Sequence, residues 1–143
     1  MSARAPRFPP AVWQGLARAA EADPGREVCG FVARSAGGEL EVAPVPNAAP
    51  PGEAATAFAM DGAAQLRVLL RLEEEGGAVV AVYHSHLESA AVPSVADLAG
   101  ALCAGRPAWP GAEYVVIALR GGRAVDIRRY RLADGAFAAL DVD

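Results

Sequence analysis

Apolar residues along the chain alternate between two periods. Val12, Leu16, Ala19 and Ala20 recur at helical spacing behind Pro9 and Pro10, which suit a helix start, so a first helix is expected over residues 9–22. Asp23-Pro24-Gly25 ends it. Residues 27–34 and 39–45 then read as two strands joined by a turn at 35–38, a hairpin. A Pro/Ala/Gly-rich loop follows at 46–55, and 56–60 forms a possible short strand. Asp61 suits the N-cap of a second helix that runs to about Glu75, with Leu66, Leu69 and Leu70 as its buried face and Arg67, Arg71 and Glu74 outside. Gly76-Gly77 stops that helix. Residues 78–83 are apolar on both faces, the pattern of a central strand. A third helix is expected over 94–103, a buried strand over 114–119, and after Gly121-Gly122 a strand over 124–132 with one wet face. A last strand near 137–140 follows Asp134-Gly135. Mixed in this order, the elements predict one α+β domain over residues 1–143, a sheet with helices packed on it.

Bulk properties narrow the function. Hydrophobic residues make up 53% and charged residues 21%, enough apolar material for a packed core rather than a disordered chain. A formal net charge of −4 argues against a nucleic-acid partner, which needs a basic face. Cys29 and Cys103 are too few for a disulfide scaffold and form no C-x-x-C pair, so a reducing compartment is expected. No signal segment follows Met1, and the longest apolar run is far too short to cross a bilayer, so the expected location is the cytoplasm, away from any membrane.

The chemistry concentrates in His84-Ser85-His86 and, seven residues later, Ser94-Val95-Ala96-Asp97. Histidines two apart on a strand share a face and stand roughly 7 Å apart along the chain, so two imidazoles can converge on one ion. With Ser94 as N-cap, Asp97 is the third helical residue and can aim its carboxylate back at the strand end. Two His and one Asp with a fourth position open is the ligand set of a catalytic zinc site. Glu27 is the candidate base that would take the proton of the attacking water, and Ser94 the candidate donor to the oxyanion. Each feature also has a plainer reading: S-x-x-D is a capping box, H-x-H a surface pair, and Glu27 a solvated charge opening a strand. One zinc site accounts for all three together. Cys29 reads as a small buried residue.

Glu27-Val28-Cys29-Gly30 resembles the E-x-C-G strand of the JAMM (MPN+) metalloproteases, and His84-Ser85-His86 with Ser94-x-x-Asp97 resembles their H-x-H-x(7)-S-x-x-D motif. Asn47 and Phe58-Ala59-Met60-Asp61 are similar to the segment entering that family's second helix, and Tyr114-Val115-Val116-Ile117 to a core strand after the motif. The resemblance implies an MPN (JAB/cytidine-deaminase-like) fold with a curved mixed sheet. It implies zinc on His84, His86 and Asp97, with Glu27 and Ser94 as catalytic residues. It also implies a ubiquitin-like or sulfur-carrier protein substrate, cut after its C-terminal Gly-Gly or relieved of a single amino acid such as cysteine. A metal-free scaffold domain of the same fold is the alternative; such domains lose a ligand or the glutamate, and this chain keeps both. A nucleoside deaminase would need H-x-E and P-C-x-x-C, which are missing. Where many family members carry Pro after the second histidine, this chain has Leu87, so a loop over 87–93 that is either looser or shaped for a different partner is expected.

Overall fold

The structure, a computed structural model, describes residues 7–140; the N-terminal stretch 1–6 lies outside the described residues. Helix α1 (Pro10–Glu21) begins on a proline and buries Val12, Leu16 and Ala20, a stripe four residues apart. Strands β1 (Cys29–Arg34) and β2 (Leu40–Val45) form the expected antiparallel hairpin. Helix α2 (Gly62–Glu75) starts where the Asp61 carboxylate accepts from Ala64 N at 2.9 Å and ends on Gly76 at φ 73°. Strand β3 (Ala78–Leu87) leads through a loop to α3 (Val95–Ala101), and then to a two-residue hairpin, β4 (Leu102–Cys103) and β5 (Arg106–Pro107). Strands β6 (Glu113–Arg120), β7 (Arg123–Ala133) and β8 (Ala136–Ala139) complete the main sheet, in the order β2-β1-β3-β6-β7-β8. Only β3 and β6 run parallel, so the sheet is mixed, and the crossover between them carries α3.

The α+β expectation holds, and four local readings are corrected. The central strand runs four residues past Tyr83, because β6 pairs with its backbone as far as Leu87, while β1 pairs with it from the other side as far as His84. Backbone pairing, not side-chain hydropathy, decides where it stops. On α2, Leu72 is the buried residue, with Ala64, Val68 and Leu69 packed against the core, whereas Leu66 and Leu70 are 55% and 50% exposed. Both Ala64-Val68-Leu72 and Leu66-Leu70 repeat every four residues, so periodicity alone could not choose between them; contact with β2 and β3 chose the first. Helix α3 stops at Ala101, where the chain turns into the β4–β5 hairpin around Ala104 and Gly105, both at positive φ. Residues 56–60 form no strand; only Met60 makes an isolated bridge, to Asn47.

Each face of the sheet has its own core. Phe8 and α1 pack against Val32, Ala81, Tyr83, Val115, Ile117 and Leu119. The opposite face gathers Phe31, Ala43, Val82, Val116 and Tyr130, with side chains of α2, α3 and the 109 region around them. Because strand residues alternate in direction, Ala81 and Tyr83 belong to the α1 side, and Val82, and with it His84 and His86, to the other. Among the described residues no helix is long and apolar enough to cross a membrane.

Candidate metal centre

His84 and His86 stand on the central strand and are both buried, at 6% and 7% exposure. Asp97 reaches them from the first turn of α3. Ser94 caps that helix through a reciprocal box: Ser94 Oγ accepts from Asp97 N at 3.0 Å, and Asp97 Oδ2 accepts from Ser94 N at 2.8 Å. The capping reading and the ligand reading of S-x-x-D are therefore compatible. The cap fixes the Asp97 carboxylate so that the same oxygen lies 2.9 Å from His86 Nε2 and 3.1 Å from His84 Nε2. The two Nε2 atoms are 3.1 Å apart.

Hydrogen-bond accounting shows what this triangle lacks. His86 Nδ1 lies 2.9 Å from Ala90 O. A carbonyl oxygen only accepts, so Nδ1 carries the proton, and whenever the ring is neutral Nε2 turns a bare lone pair toward Asp97. An imidazole lone pair and a carboxylate oxygen at 2.9 Å need a cation or an extra proton between them. Ligand atoms around a tetrahedral ion with bonds of ~2.0–2.1 Å stand about 3.3 Å apart, close to the separations here. The donor set, two imidazole nitrogens and one carboxylate oxygen, suits a divalent metal of zinc's type, and these three residues form a metal-capable group. The carbonyl of Ala90 supplies the outer hydrogen bond that ligating histidines ordinarily have.

Electrostatics fit the same picture. Burial pushes His84 below the usual histidine range and so keeps it neutral, although the Asp97 contact opposes this. Hydrogen bonding to Asp97 raises His86. Burial pushes Asp97 upward, but hydrogen bonds from His84 and His86 outweigh it and hold the carboxyl below the ordinary carboxylate range. Glu27 precedes the regular part of β1 and is 5% exposed. Burial raises it to about 7, with His86 pulling down and Asp97 pushing up. A divalent cation in the ligand set would pull it back down. Its Oε1 is buried with no hydrogen-bond partner among the described residues, an acceptor close enough to His86 and Asp97 to feel their charge.

The supporting residues were less visible in the sequence. The Phe58 ring stacks on His84, centroids 4.6 Å apart. Cys29 is buried as expected, its thiol donating to Val45 O, and burial pushes it up to about 12. Gly30 is required because a Cβ there would stand 2.5 Å from Ala43 O and 2.7 Å from the Tyr83 ring. The loop after Leu87 is tied rather than loose: Glu88 N donates to Leu119 O, Glu88 Oε1 accepts from Gly121 N, and the Tyr130 hydroxyl donates to Ala91 O. These partners lie 31 to 39 residues away in the chain, too far for any local pattern to announce them. A cleft of about 550 Å³ opens beside His84 and Asp97, walled by Phe58, Met60, Val82, Trp109, Tyr114 and Val116, with the exposed Cys103 on its lining.

Comparison with known proteins adds three findings. The family model described as prokaryotic homologs of the JAB domain matches residues 9–133. Curated relatives include a desampylase of Haloferax volcanii, 35% identical over 68% of this chain and 66% of its own length. They also include a CysO-cysteine peptidase of Mycobacterium tuberculosis, 31% identical over 77% of this chain and 70% of its own. A probable TtuB-protein conjugate cleaving protease of Thermus thermophilus is 35% identical over 71% of this chain and 59% of its own. The matches thus span about two thirds of the length of these relatives. In three dimensions, a Desulfitobacterium hafniense protein known from its solution structure has a TM-score of 0.73 at 21% identity, over 94% of this chain and 88% of that one, which shows a shared fold.

Proposed function

The chain belongs to the family of prokaryotic homologs of the JAB domain, and on that premise we propose that it is a zinc-dependent peptidase or isopeptidase. In this reading it hydrolyses the amide bond after the C-terminal Gly-Gly of a ubiquitin-like or sulfur-carrier protein. One observation carries the reading: three atoms able to ligate a metal converge within 3.1 Å of one another, and near them stands Glu27, whose buried Oε1 has no partner among the described residues. His84, His86 and Asp97 would hold the zinc. When bound, zinc would supply Lewis acidity, making a water acidic and polarising the scissile carbonyl.

The chain's own residues do the rest. Glu27 takes the proton of the attacking water on its free Oε1 and returns it to the leaving amine. Burial suits this work, because it brings the carboxyl toward a neutral working pH. Ser94 spends an oxygen lone pair on Asp97 N and keeps its hydroxyl proton, which is available to the oxyanion. Phe58 covers the His84 ring from one side and limits water there. The cleft between residues 56–60 and α3 receives the carrier's extended tail. The names of the relatives, a CysO-cysteine peptidase and a probable conjugate cleaving protease, support amide hydrolysis at a protein carrier. A metal-free scaffold would have no use for the convergent ligand set.

The test offers the purified protein a ubiquitin-like carrier joined through Gly-Gly to a reporter, beside Ala-Ala and Gly-Val versions. The Gly-Gly fusion is cut, and a zinc chelator stops the reaction. Equal cutting of all three would make the protein a general metallopeptidase; no cutting, with no zinc retained, would favour the scaffold. Replacing the reporter with a lysine-linked peptide or a single cysteine identifies the leaving group.

A further inference from the structure

Glu27 lies two residues before β1, outside the regular ladder, so the main sheet by itself does not fix its backbone. Both of its main-chain polar groups are instead held by the segment that connects β2 to α2. Glu27 N donates to Ala54 O at 2.7 Å, and Glu27 O accepts from Asn47 Nδ2 at 2.9 Å. The same Asn47 nitrogen donates to Ala57 O at 3.0 Å, and Oδ1 accepts from Ala49 N at 2.9 Å and Ala59 N at 3.1 Å. A side-chain amide has two donor hydrogens and one oxygen with two lone pairs, so all four are spent. Two carbonyl partners on one side and two amide partners on the other leave only one orientation for the group. Arg26 Nη2 donates to Asn47 O at 2.6 Å and ties the clasp from below.

Of the residues so joined, Glu27, Ala57 and Ala59 lie next to the site. One is Glu27; the others bracket Phe58, which stacks on His84. We propose that Asn47 is a positioning residue: it links the backbone that carries the carboxylate of Glu27 to the backbone that carries the ring of Phe58 and so holds both beside the candidate metal centre, where a ladder pairing would otherwise be needed. This rests on the role given to Glu27 above. Residues 46–60 have their own backbone bonds, among them Ala48 N to Ala59 O and Asp61 N to Pro46 O, but without the clasp only the Ala54 bond ties this segment directly to Glu27. A misplacement of about 1 Å at such a group can cost 10²-fold in rate.

Two variants separate the arms of the clasp. Asn47→Ala removes all four bonds. Asn47→Asp keeps the two bonds from Ala49 N and Ala59 N and sets a carboxylate oxygen against the carbonyls of Glu27 and Ala57. With zinc content measured on each preparation and the carrier–Gly-Gly–reporter as probe, both variants are expected to lose about 10–100-fold in kcat per bound zinc, with KM within about threefold. Amide exchange gives a reading independent of turnover: in both variants the Glu27 amide exchanges at least about tenfold faster, whereas in Asn47→Asp the Ala59 amide keeps its protection. A merely structural role would lower activity only in proportion to zinc or folded protein lost. The proposal is overturned if kcat per zinc stays within about twofold, or if the Glu27 amide exchanges at its wild-type rate. Should the wild-type protein cut no reporter, the hydrolase reading falls, and the exchange rate of Glu27 still decides the clasp.

Discussion

The two faces of β3 bury polar groups to opposite ends. On the α1 side, Ser85 is fully buried, and its Oγ accepts from Val28 N at 2.8 Å, so its polarity is spent on the backbone. Tyr83 on the same side has a buried hydroxyl without a partner among the described residues, but burial raises the phenol and keeps it neutral. The cost is about 1–3 kcal/mol, which a packed core tolerates. On the other side, the Nε2 atoms of His84 and His86 both lie within 3.1 Å of one Asp97 oxygen, and His86, whose Nδ1 donates to Ala90 O, has only a lone pair to turn toward it when neutral. Burial of polar groups alone therefore does not mark a site. The mark is an acceptor set that needs a cation.

The comparison breaks most sharply at the ligands. His84→Ala or Asp97→Ala is expected to reduce zinc from one equivalent per chain to near none by elemental analysis after dialysis. Glu27→Gln should keep zinc and fold while losing about 10²–10⁴-fold in rate, because an amide cannot take the proton. A full equivalent of tightly held zinc in either ligand variant, or near-normal turnover in Glu27→Gln, would undo the assignment of that face.

The α1 side should instead respond in stability. Gly30→Ala places a methyl 2.5 Å from Ala43 O, and the Tyr83 ring leaves no room to yield. A loss of about 1–3 kcal/mol is expected in denaturant unfolding, with zinc stoichiometry unchanged in the folded protein. Ser85→Ala removes the partner of Val28 N and should cost about 1–2 kcal/mol. It also sharpens the contrast: Val28 adjoins Glu27, so a kcat decline larger than the stability loss would show that the back face helps hold the base.

The smallest effect belongs to the thiols. Burial pushes Cys29 to about 12, so it stays protonated at pH 8. Mass spectrometry after alkylation of the native protein should find one adduct, on the exposed Cys103. Cys29→Ser should retain activity within a modest factor, since the proposed nucleophile is water. Cys103 lines the cleft, so a bulky adduct there can obstruct substrate, whereas a small one should not. Inactivation of a folded Cys29→Ser protein would point to a thiol mechanism.

Much of the site was legible because its ligands obey short-range rules. Histidines two apart on a strand share a face, and a helix-capping Ser sets the residue three further on. Of the two readings of the loop after His86, looseness does not hold. The residue following the histidine suggested looseness, but Glu88 and Tyr130 bond across the sheet to hold it. The buried face of α2 was misassigned for a related reason, since two stripes with equal spacing differ only in what they meet.

By itself the sequence determined the three helices, the strands of the main sheet, the α+β class and the residue types of the candidate ligand set, because these follow from periodicity and from neighbours a few bonds away. Tertiary structure alone decided how far β3 runs, where α3 ends, and that Glu27, Asn47 and Phe58 stand around one point. Those outcomes depend on strands and loops distant in the chain competing for the same backbone donors and acceptors, and that competition is settled only when the sheet closes.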